Sequence, residues 1–460
     1  MMYDSFVRDR LPPADQLPEF LLLDYPERLN AAAELLKGGN PNDLAVTNAH
    51  GRWTYAELDD FSGRIARLLA EEKGLIPGNR VLLRGPNGYT LFAAWLGVLK
   101  AGGVAVTTMP LLRNGEIASV IDIAQVSHAI VDSRFIGDFR GAMSQTRFVK
   151  HLVKYDGDYG KGELETRCAG LTPLPPVDTG RDDPALIAFT SGTTGVPKGC
   201  IQFHRDILAP CDTFAKTHFR MAPGDVVMTS APIAFTFGLG ATLMFPLRFG
   251  AATATIEQPS PPAMLEAIAK FGVTHLATAP TAYKAMLATE PVRPERSAER
   301  AVEGRGDAPF DFGPSDLRSG RTEESALEQA LMTLKCCLSA GEHLPKAVWE
   351  AWKARTGISI VDGIGSTELM HIFISESGDA IRAGSTGRAV PGYEATVLDT
   401  HGNPMTEGEG RLAVKGPTGC RYLDDPRQVN YVQNGWNLTG DTYRKDAEGY
   451  YWYVARSDDM

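Results

Sequence analysis

The segment Leu186-Ile-Ala-Phe-Thr-Ser-Gly-Thr-Thr-Gly-Val-Pro-Lys-Gly199 constrains this chain more than any other. Leu186 to Thr190 read as a buried strand. The strand runs into a loop of glycines and hydroxyls that ends in a lysine. Gly192, Gly195 and Gly199 let backbone N–H groups converge on an anion. Ser191, Thr193 and Thr194 add hydroxyl donors, and Lys198 adds a point charge. This is phosphate-binding chemistry. It is not the P-loop, in which four residues separate the first glycine from Gly-Lys-Ser/Thr. Here a proline precedes Lys198 and Gly199 follows it, which disfavours a kinase or P-loop ATPase.

The rest of the chain supplies α/β layers. Trp53 to Leu69 reads as a helix, with Thr54 as N-cap and Glu57 three residues on. Tyr25 to Leu36 reads as a second amphipathic helix. Thr90 to Lys100 is a helix closed at Gly102–Gly103, Pro262 to Phe271 another. Short apolar runs at Val81–Leu83, Val104–Thr107, Ala129–Val131, Phe148–Val153, Val226–Ser230, Ala251–Ile256 and Thr274–Thr278 read as strands. Strands alternating with helices predict parallel sheets. Asp156 to Asp183 reads as a surface connection. Glu290 to Glu328 is dense in charge, Gly and Pro, and reads as a long exposed or partly disordered insertion. From about Gly384, short runs such as Glu394–Leu398 and Gly410–Lys415 alternate with turns, which predicts a small antiparallel barrel or sandwich.

Composition narrows the class. With 46 basic and 56 acidic residues the net charge is −10, which disfavours nucleic acid or an anionic membrane as partner. The six cysteines, Cys168, Cys200, Cys211, Cys336, Cys337 and Cys420, form no CxxC pair and predict buried free thiols. Met1 to Arg10 lacks an apolar h-region, and Phe92 to Met109 is broken by Lys100 and a glycine pair. Neither a signal peptide nor a membrane span is expected, and the expected location is cytoplasmic.

At the phosphate loop the chain resembles the adenylate-forming superfamily of acyl- and aryl-CoA synthetases, luciferases and peptide-synthetase adenylation domains. Ser339-Ala-Gly-Glu-His-Leu-Pro345, Asp362-Gly-Ile-Gly-Ser-Thr-Glu368, Leu438-Thr-Gly-Asp441 and Ala455-Arg-Ser-Asp-Asp-Met460 resemble its further motifs in family order. The resemblance implies an α/β fold with two stacked αβ subdomains over 1–383, a small antiparallel β-barrel over 384–455, and a hinge over 456–460 at Asp458, with the C-terminal lid domain missing and turnover impaired accordingly. It implies ATP, Mg²⁺ and coenzyme A as cofactors. Lys198, Thr367 and Glu368 are the implied catalytic residues, with Glu368 on the metal. Thr190, Ser191, Gly192, Thr193, Thr194, Gly195, Gly341, Glu342, Asp362, Gly363, Ile364, Gly365, Asp441 and Arg456 complete the implied nucleotide site. Ile364 stands where the family usually has an aromatic, so the π contribution to adenine stacking is lost.

The implied reaction joins a carboxylate to the α-phosphate of MgATP, giving an acyl-adenylate that a thiol then cleaves. The implied acid pocket is formed by His204, Phe235, Thr236, Phe237, Gly238, Ala279, Ser339, Ala340, Gly363, Met370 and His371. Amino-acid-activating relatives carry an aspartate after the phenylalanine. Here Thr236 follows Phe235, so a substrate ammonium would be buried unpaired. Arg8-Asp-Arg-Leu-Pro-Pro13, Pro18-Glu-Phe20, Tyr25-Pro-Glu-Arg-Leu-Asn-Ala-Ala32 and Phe203-His-Arg-Asp206 resemble benzoate and 2-aminobenzoate CoA ligases. The expected substrate is 2-aminobenzoate. The alternatives are benzoate, a hydroxybenzoate or a short acyl acid, loading of a carrier protein in place of coenzyme A, and an adenylate-binding module without turnover.

Overall fold

Helix Tyr89–Lys100 carries no polar stripe, and in the computed structural model all twelve of its residues are buried. The structure describes residues 3–190, 195–289, 328, 330 and 332–456. The helix joins one apolar cluster with Val81, Leu83 and Ala105 of a first sheet and Val227, Ala277 and Leu338 of a second. Gly88 offers no side chain to its N-terminus. Asp158 caps it from seventy residues away, accepting from the N–H groups of Tyr89 at 2.9 Å and Thr90 at 2.8 Å, and from Asn48 Nδ2 at 2.6 Å. The neighbouring helix Tyr55–Arg67 starts as its sequence predicts, on a capping box of Thr54 and Glu57.

The first sheet has the order His151–Tyr155, His128–Asp132, Arg80–Arg84, Val104–Thr108, Pro184–Thr190, Lys198–Phe203. It is parallel up to its last pair, which is antiparallel. The second sheet has nine strands. Ile360–Gly365, Cys336–Ser339, His275–Thr278, Val226–Thr229, Ala252–Ala254 and Leu44–Thr47 form its parallel centre. Arg52–Thr54 lies antiparallel at one margin, Ile372–Ser375 and Arg388–Ala389 at the other. The α/β layering expected from the sequence is therefore present.

The third sheet is antiparallel, in the order Pro404–Met405, Glu394–Leu398, Gly408–Lys415, Trp436–Lys445, Val432–Gln433. Tyr451–Arg456 shares the edge of Trp436–Lys445. Among the described residues this ladder is an open sheet, and barrel closure is not seen in it. Val397, Leu412, Val414, Tyr443 and Tyr451 join the main core, while Leu398, Ala413 and Leu438 form a separate buried cluster with Trp436. It begins at Glu394, after Arg388–Ala389 have paired into the second sheet.

Two expectations need correction. Only Ala31–Leu36 of the segment Tyr25–Leu36 is helical. Before it, Leu29 exchanges hydrogen bonds with Thr179, its N–H donating to the Thr179 carbonyl at 2.8 Å and its carbonyl accepting from Thr179 Oγ1 at 2.7 Å. That pairing draws Asp156–Asp183 inward, so this connection is not wholly superficial. It holds the helix Glu163–Cys168 and buries Leu164, Cys168 and Thr179. The six cysteines are free, five buried and Cys336 half-buried. Among the described residues no helix is long and apolar enough to cross a membrane. Nearly all of the charged segment 290–328, and Asp458, lie outside the described residues.

The segment Cys420–Leu423 ties the third sheet to the first. Ile201 N–H donates to the Arg421 carbonyl and Leu423 N–H to the Gly199 carbonyl, each at 2.8 Å. Arg421 Nη1 meets Asp206 Oδ2 at 2.7 Å with both side chains buried, and its guanidinium lies 4.3 Å from the ring centres of Phe20 and Phe203.

Candidate active site

Lys198 opens the last strand of the first sheet, in register with Thr190, so the predicted phosphate loop is a hairpin connection. Gly195 has φ +79°, a left-handed conformation that glycine adopts without steric cost. Ser191, Gly192, Thr193 and Thr194 lie outside the described residues. Lys198 Nζ donates to Tyr422 Oη at 2.7 Å, and Tyr422 Oη donates to Glu368 Oε1 at 2.5 Å. Thr367 and Glu368 sit on a loop that follows the second-sheet strand Ile360–Gly365. That loop is clamped from several sides. Gln202 Nε2 donates to the Thr367 carbonyl at 3.0 Å, and Thr418 Oγ1 to the Leu369 carbonyl at 2.7 Å. Ser366 Oγ lies 3.0 Å from Tyr431 Oη.

Beside this loop is a cavity of about 290 Å³ whose wall contains Gly341, Glu342, Asp362, Gly363, Ile364, Gly365, Asp441 and Arg456. All eight were expected from the sequence. Asp441 Oδ1 accepts from Arg456 Nη1 at 3.1 Å across adjacent antiparallel strands. Asp362 Oδ1 is buried with no hydrogen-bond partner. Burial pushes that carboxyl well above the usual range, and a bond from the Gly363 N–H offsets part of the rise. Thr386, Tyr443, Tyr453 and His343 complete the wall. His343 and Tyr453 stack at 5.1 Å and 22°, so an aromatic surface is available despite Ile364. His343 lies within a recognised motif; Tyr453 had no motif to mark it.

A second cavity of about 570 Å³ shares Gly341, Glu342 and Gly365 with the first, so the two adjoin. Its wall takes Phe235, Thr236, Phe237, Ala279, Ala340, Thr367 and His371. Ala231, Pro232 and Ser366, which lie within motif segments, belong to it as well, as do Ser230 and Ile372, which no motif marks. Asn87, at the end of the capped helix, holds part of this wall. Its Nδ2 donates to the Ala231 carbonyl and its Oδ1 accepts from the Ile233 N–H, both at 2.9 Å. Glu342, the acid on the wall, is exposed where the cavities meet.

His371 is 2% exposed, with ring centres of Phe245, Phe214 and Phe237 at 4.6, 5.5 and 5.7 Å. Burial lowers its pKa to about 3, so the ring is neutral at pH 7. Nε2 faces the Phe237 carbonyl at 3.4 Å, and Nδ1 is buried without a partner. A proton on Nε2 leaves Nδ1 as an acceptor.

Five predicted acid-pocket residues are not brought to this wall. His204 follows the whole strand Lys198–Phe203, which at about 3.3 Å per residue carries it about 20 Å from Lys198. There its Nδ1 accepts from the Ala31 N–H at 3.1 Å in the core, and burial lowers its pKa to about 3. Gly238 is packed where a Cβ would stand 2.2 Å from the Pro232 carbonyl oxygen. Ser339 is buried at the end of its strand, one residue before the wall, with Oγ unpartnered. Met370 is buried with a left-handed backbone, φ 67°. Gly363 lines the smaller cavity only.

Among the described residues no three His, Cys, Asp or Glu side chains cluster to hold a metal. Glu368 is a single buried carboxylate. Such a donor set fits a Mg²⁺ that brings phosphate oxygens and water as its other ligands.

Known proteins resemble this chain in sequence and fold. The benzoate–CoA ligase of Thauera aromatica is 31% identical over all of this chain and 81% of its own length. A 3-hydroxybenzoate–CoA/4-hydroxybenzoate–CoA ligase of the same organism is 28% identical, over 94% of this chain and 79% of its own. The crystal structure of the anthranilate CoA ligase AuaEII in complex with anthranoyl-AMP superposes with a TM-score of 0.83 at 27% identity, over 95% of this chain and 80% of that one. Residues 36–421 match the family of AMP-binding enzymes. The hairpin loop ending at Lys198, the two adjoining cavities and this match together establish that the chain belongs to the AMP-binding enzyme family.

Proposed function

We propose that the chain is an aryl-CoA ligase, an AMP-forming acid–thiol ligase that activates 2-aminobenzoate. The observation that carries this reading is the pair of cavities meeting at Gly341 and Gly365, one polar and one mainly apolar. In the smaller cavity Asp441 accepts from the ribose hydroxyls and Arg456 flanks them. Asp362 pairs with the adenine edge, and His343 with Tyr453 offers the ring a stacking surface. Lys198 and the hairpin loop hold the phosphates, and Thr367 donates to the α-phosphate. Glu368 would hold the Mg²⁺ that arrives with ATP, and the chemistry such an ion would supply is neutralisation of phosphate charge. The substrate carboxylate lies at the junction and attacks the α-phosphorus, and pyrophosphate leaves. Catalysis here is positioning and charge stabilisation. Coenzyme A then takes the acyl group as a thioester, releasing AMP.

The choice of acid rests on the larger cavity. Phe235 and Phe237 suit a flat ring, and no buried carboxylate lines the wall to pair with an α-ammonium. A neutral His371 with an acceptor Nδ1 suits a ring that carries a donor, as an aromatic amine does. The anthranilate CoA ligase structure supports the same choice by likeness. Benzoate and hydroxybenzoates are the second reading, supported by the two Thauera aromatica relatives. Acid-dependent exchange of pyrophosphate into ATP tests both. The panel is 2-aminobenzoate, benzoate, 2-hydroxybenzoate, hexanoate and phenylalanine. The highest kcat/KM is expected for 2-aminobenzoate. A win for benzoate transfers the assignment to the second reading, and a win for hexanoate or phenylalanine removes the aromatic acid altogether.

A further inference from the structure

Tyr422 has no part in the reaction above, yet its hydroxyl touches both of the charged side chains assigned to phosphate and metal. Lys198 comes from the first sheet and Glu368 from the loop after the second. Tyr422 comes from the segment that bridges the third sheet onto the first. Lys198 Nζ and Glu368 Oε1 are 3.9 Å apart, longer than the 2.7–2.9 Å of a direct charge-assisted hydrogen bond. The hydroxyl stands between them, accepting from Nζ at 2.7 Å and donating to Oε1 at 2.5 Å. The ammonium also lies 4.6 Å from the centre of the same ring.

The tyrosine itself is firmly placed. Its N–H donates to Gln428 Oε1 at 2.9 Å. Its ring meets Tyr431 edge-on at 5.9 Å, and Tyr431 reaches back to Ser366 on the Glu368 loop.

We infer that Tyr422 is a positioning residue for acid activation, a neutral spacer that keeps Lys198 and Glu368 from closing into a direct ion pair before MgATP binds. This rests on the assignment of Lys198 to the phosphates and Glu368 to the metal. Without the hydroxyl, the two charges are free to approach and bond directly. MgATP must then break that bond before phosphate reaches the ammonium and metal reaches the carboxylate.

Tyr422→Phe tests the inference, because it keeps the ring under Lys198 and removes only the spacer. In pyrophosphate exchange, the Mg²⁺ concentration for half-maximal rate and KM for ATP are expected to rise about tenfold, with KM for the acid unchanged. Calorimetric titration of the protein with MgATP is expected to show the same weakening without turnover. Unchanged Mg²⁺ dependence overturns the inference, as does an equal rise in KM for the acid. An unfolded Tyr422→Phe protein also overturns it, since it makes the hydroxyl a folding contact. Lys198→Ala and Glu368→Gln in the same assays separate the two layers. If they leave MgATP binding intact, the underlying assignment fails. If they weaken it and Tyr422→Phe does not, the spacer role alone fails.

Discussion

Gly240→Ala sets two opposing effects against each other at the wall of the larger cavity. Gly240 has ordinary helical geometry, φ −61°, so alanine gains about 0.8–1.0 kcal/mol of helix propensity. The new methyl would stand 2.4 Å from His371 Cδ2, 2.6 Å from Nε2 and 3.0 Å from Phe245 Cζ. The imidazole must therefore retreat by about 1 Å to restore ordinary contact. Phe214, Phe237 and Phe245 crowd it, and the space left is the cavity of about 570 Å³. Overpacking of a core costs about 1–3 kcal/mol. The folded protein is thus destabilised by about 0–2 kcal/mol, while the acid meets a displaced ring. If the same 1–3 kcal/mol is felt on binding, KM for the aromatic acid rises about 5- to 150-fold. KM for ATP is expected to stay within twofold, because Gly240 lies away from the smaller cavity. Steady-state exchange kinetics with the acid and ATP varied in turn give both numbers. An unchanged acid KM, or equal rises for acid and ATP, would falsify the assignment of His371 to the acid pocket.

Other perturbations test the scaffold. Asp158→Ala strips the acceptor from the Tyr89 and Thr90 N–H groups and from Asn48. Loss of a helix cap together with buried donors left unpaired predicts a cost of about 3 kcal/mol in chemical denaturation, and Asp158→Asn about half of it. Arg421→Ala removes the nearer cation of the buried Asp206 carboxylate and leaves Arg205 Nε at 3.7 Å. A loss of about 3–5 kcal/mol is expected, and the double variant Asp206→Asn, Arg421→Met should recover most of it. Burial lowers His204 and His371 to about 3 and His128 to about 4. For depressed histidines the folded state binds fewer protons than the unfolded one, so stability is full above about pH 6.5 and is lost as pH falls toward 4. Each contributes a slope of about 1.4 kcal/mol per pH unit in that window. Denaturation series at pH 6 and 5 should show His204→Asn reducing the total slope by about that amount; an unaltered slope refutes a neutral, buried His204.

The phosphate loop, the Asp362–Glu368 segment and Asp441 were legible because each carries its chemistry in contiguous residues. Their spacing along the chain is the same thing as their spacing in the hairpin or loop that presents them. Thr54 and Glu57 were legible for the same reason, since a capping box is local. His204 shows where this ends. It follows the phosphate loop closely in sequence, but a strand of six residues carries it to the opposite end of the sheet. Asp158 and Tyr422 fail in the reverse sense. Each acts on groups dozens of residues away or more, and nothing next to either residue marks the role. The surroundings of the third sheet belong with them. The run Leu412-Ala-Val414 marks a strand buried on both faces, but not what covers each face; the main core covers Leu412 and Val414, and Leu398 with Leu438 covers Ala413. The reactive groups are thus written locally, while the residues that hold them at working distance are written across sheets. It follows that substitutions at Tyr422, Tyr431 and Gln202 should alter nucleotide handling although none lies in a recognised motif.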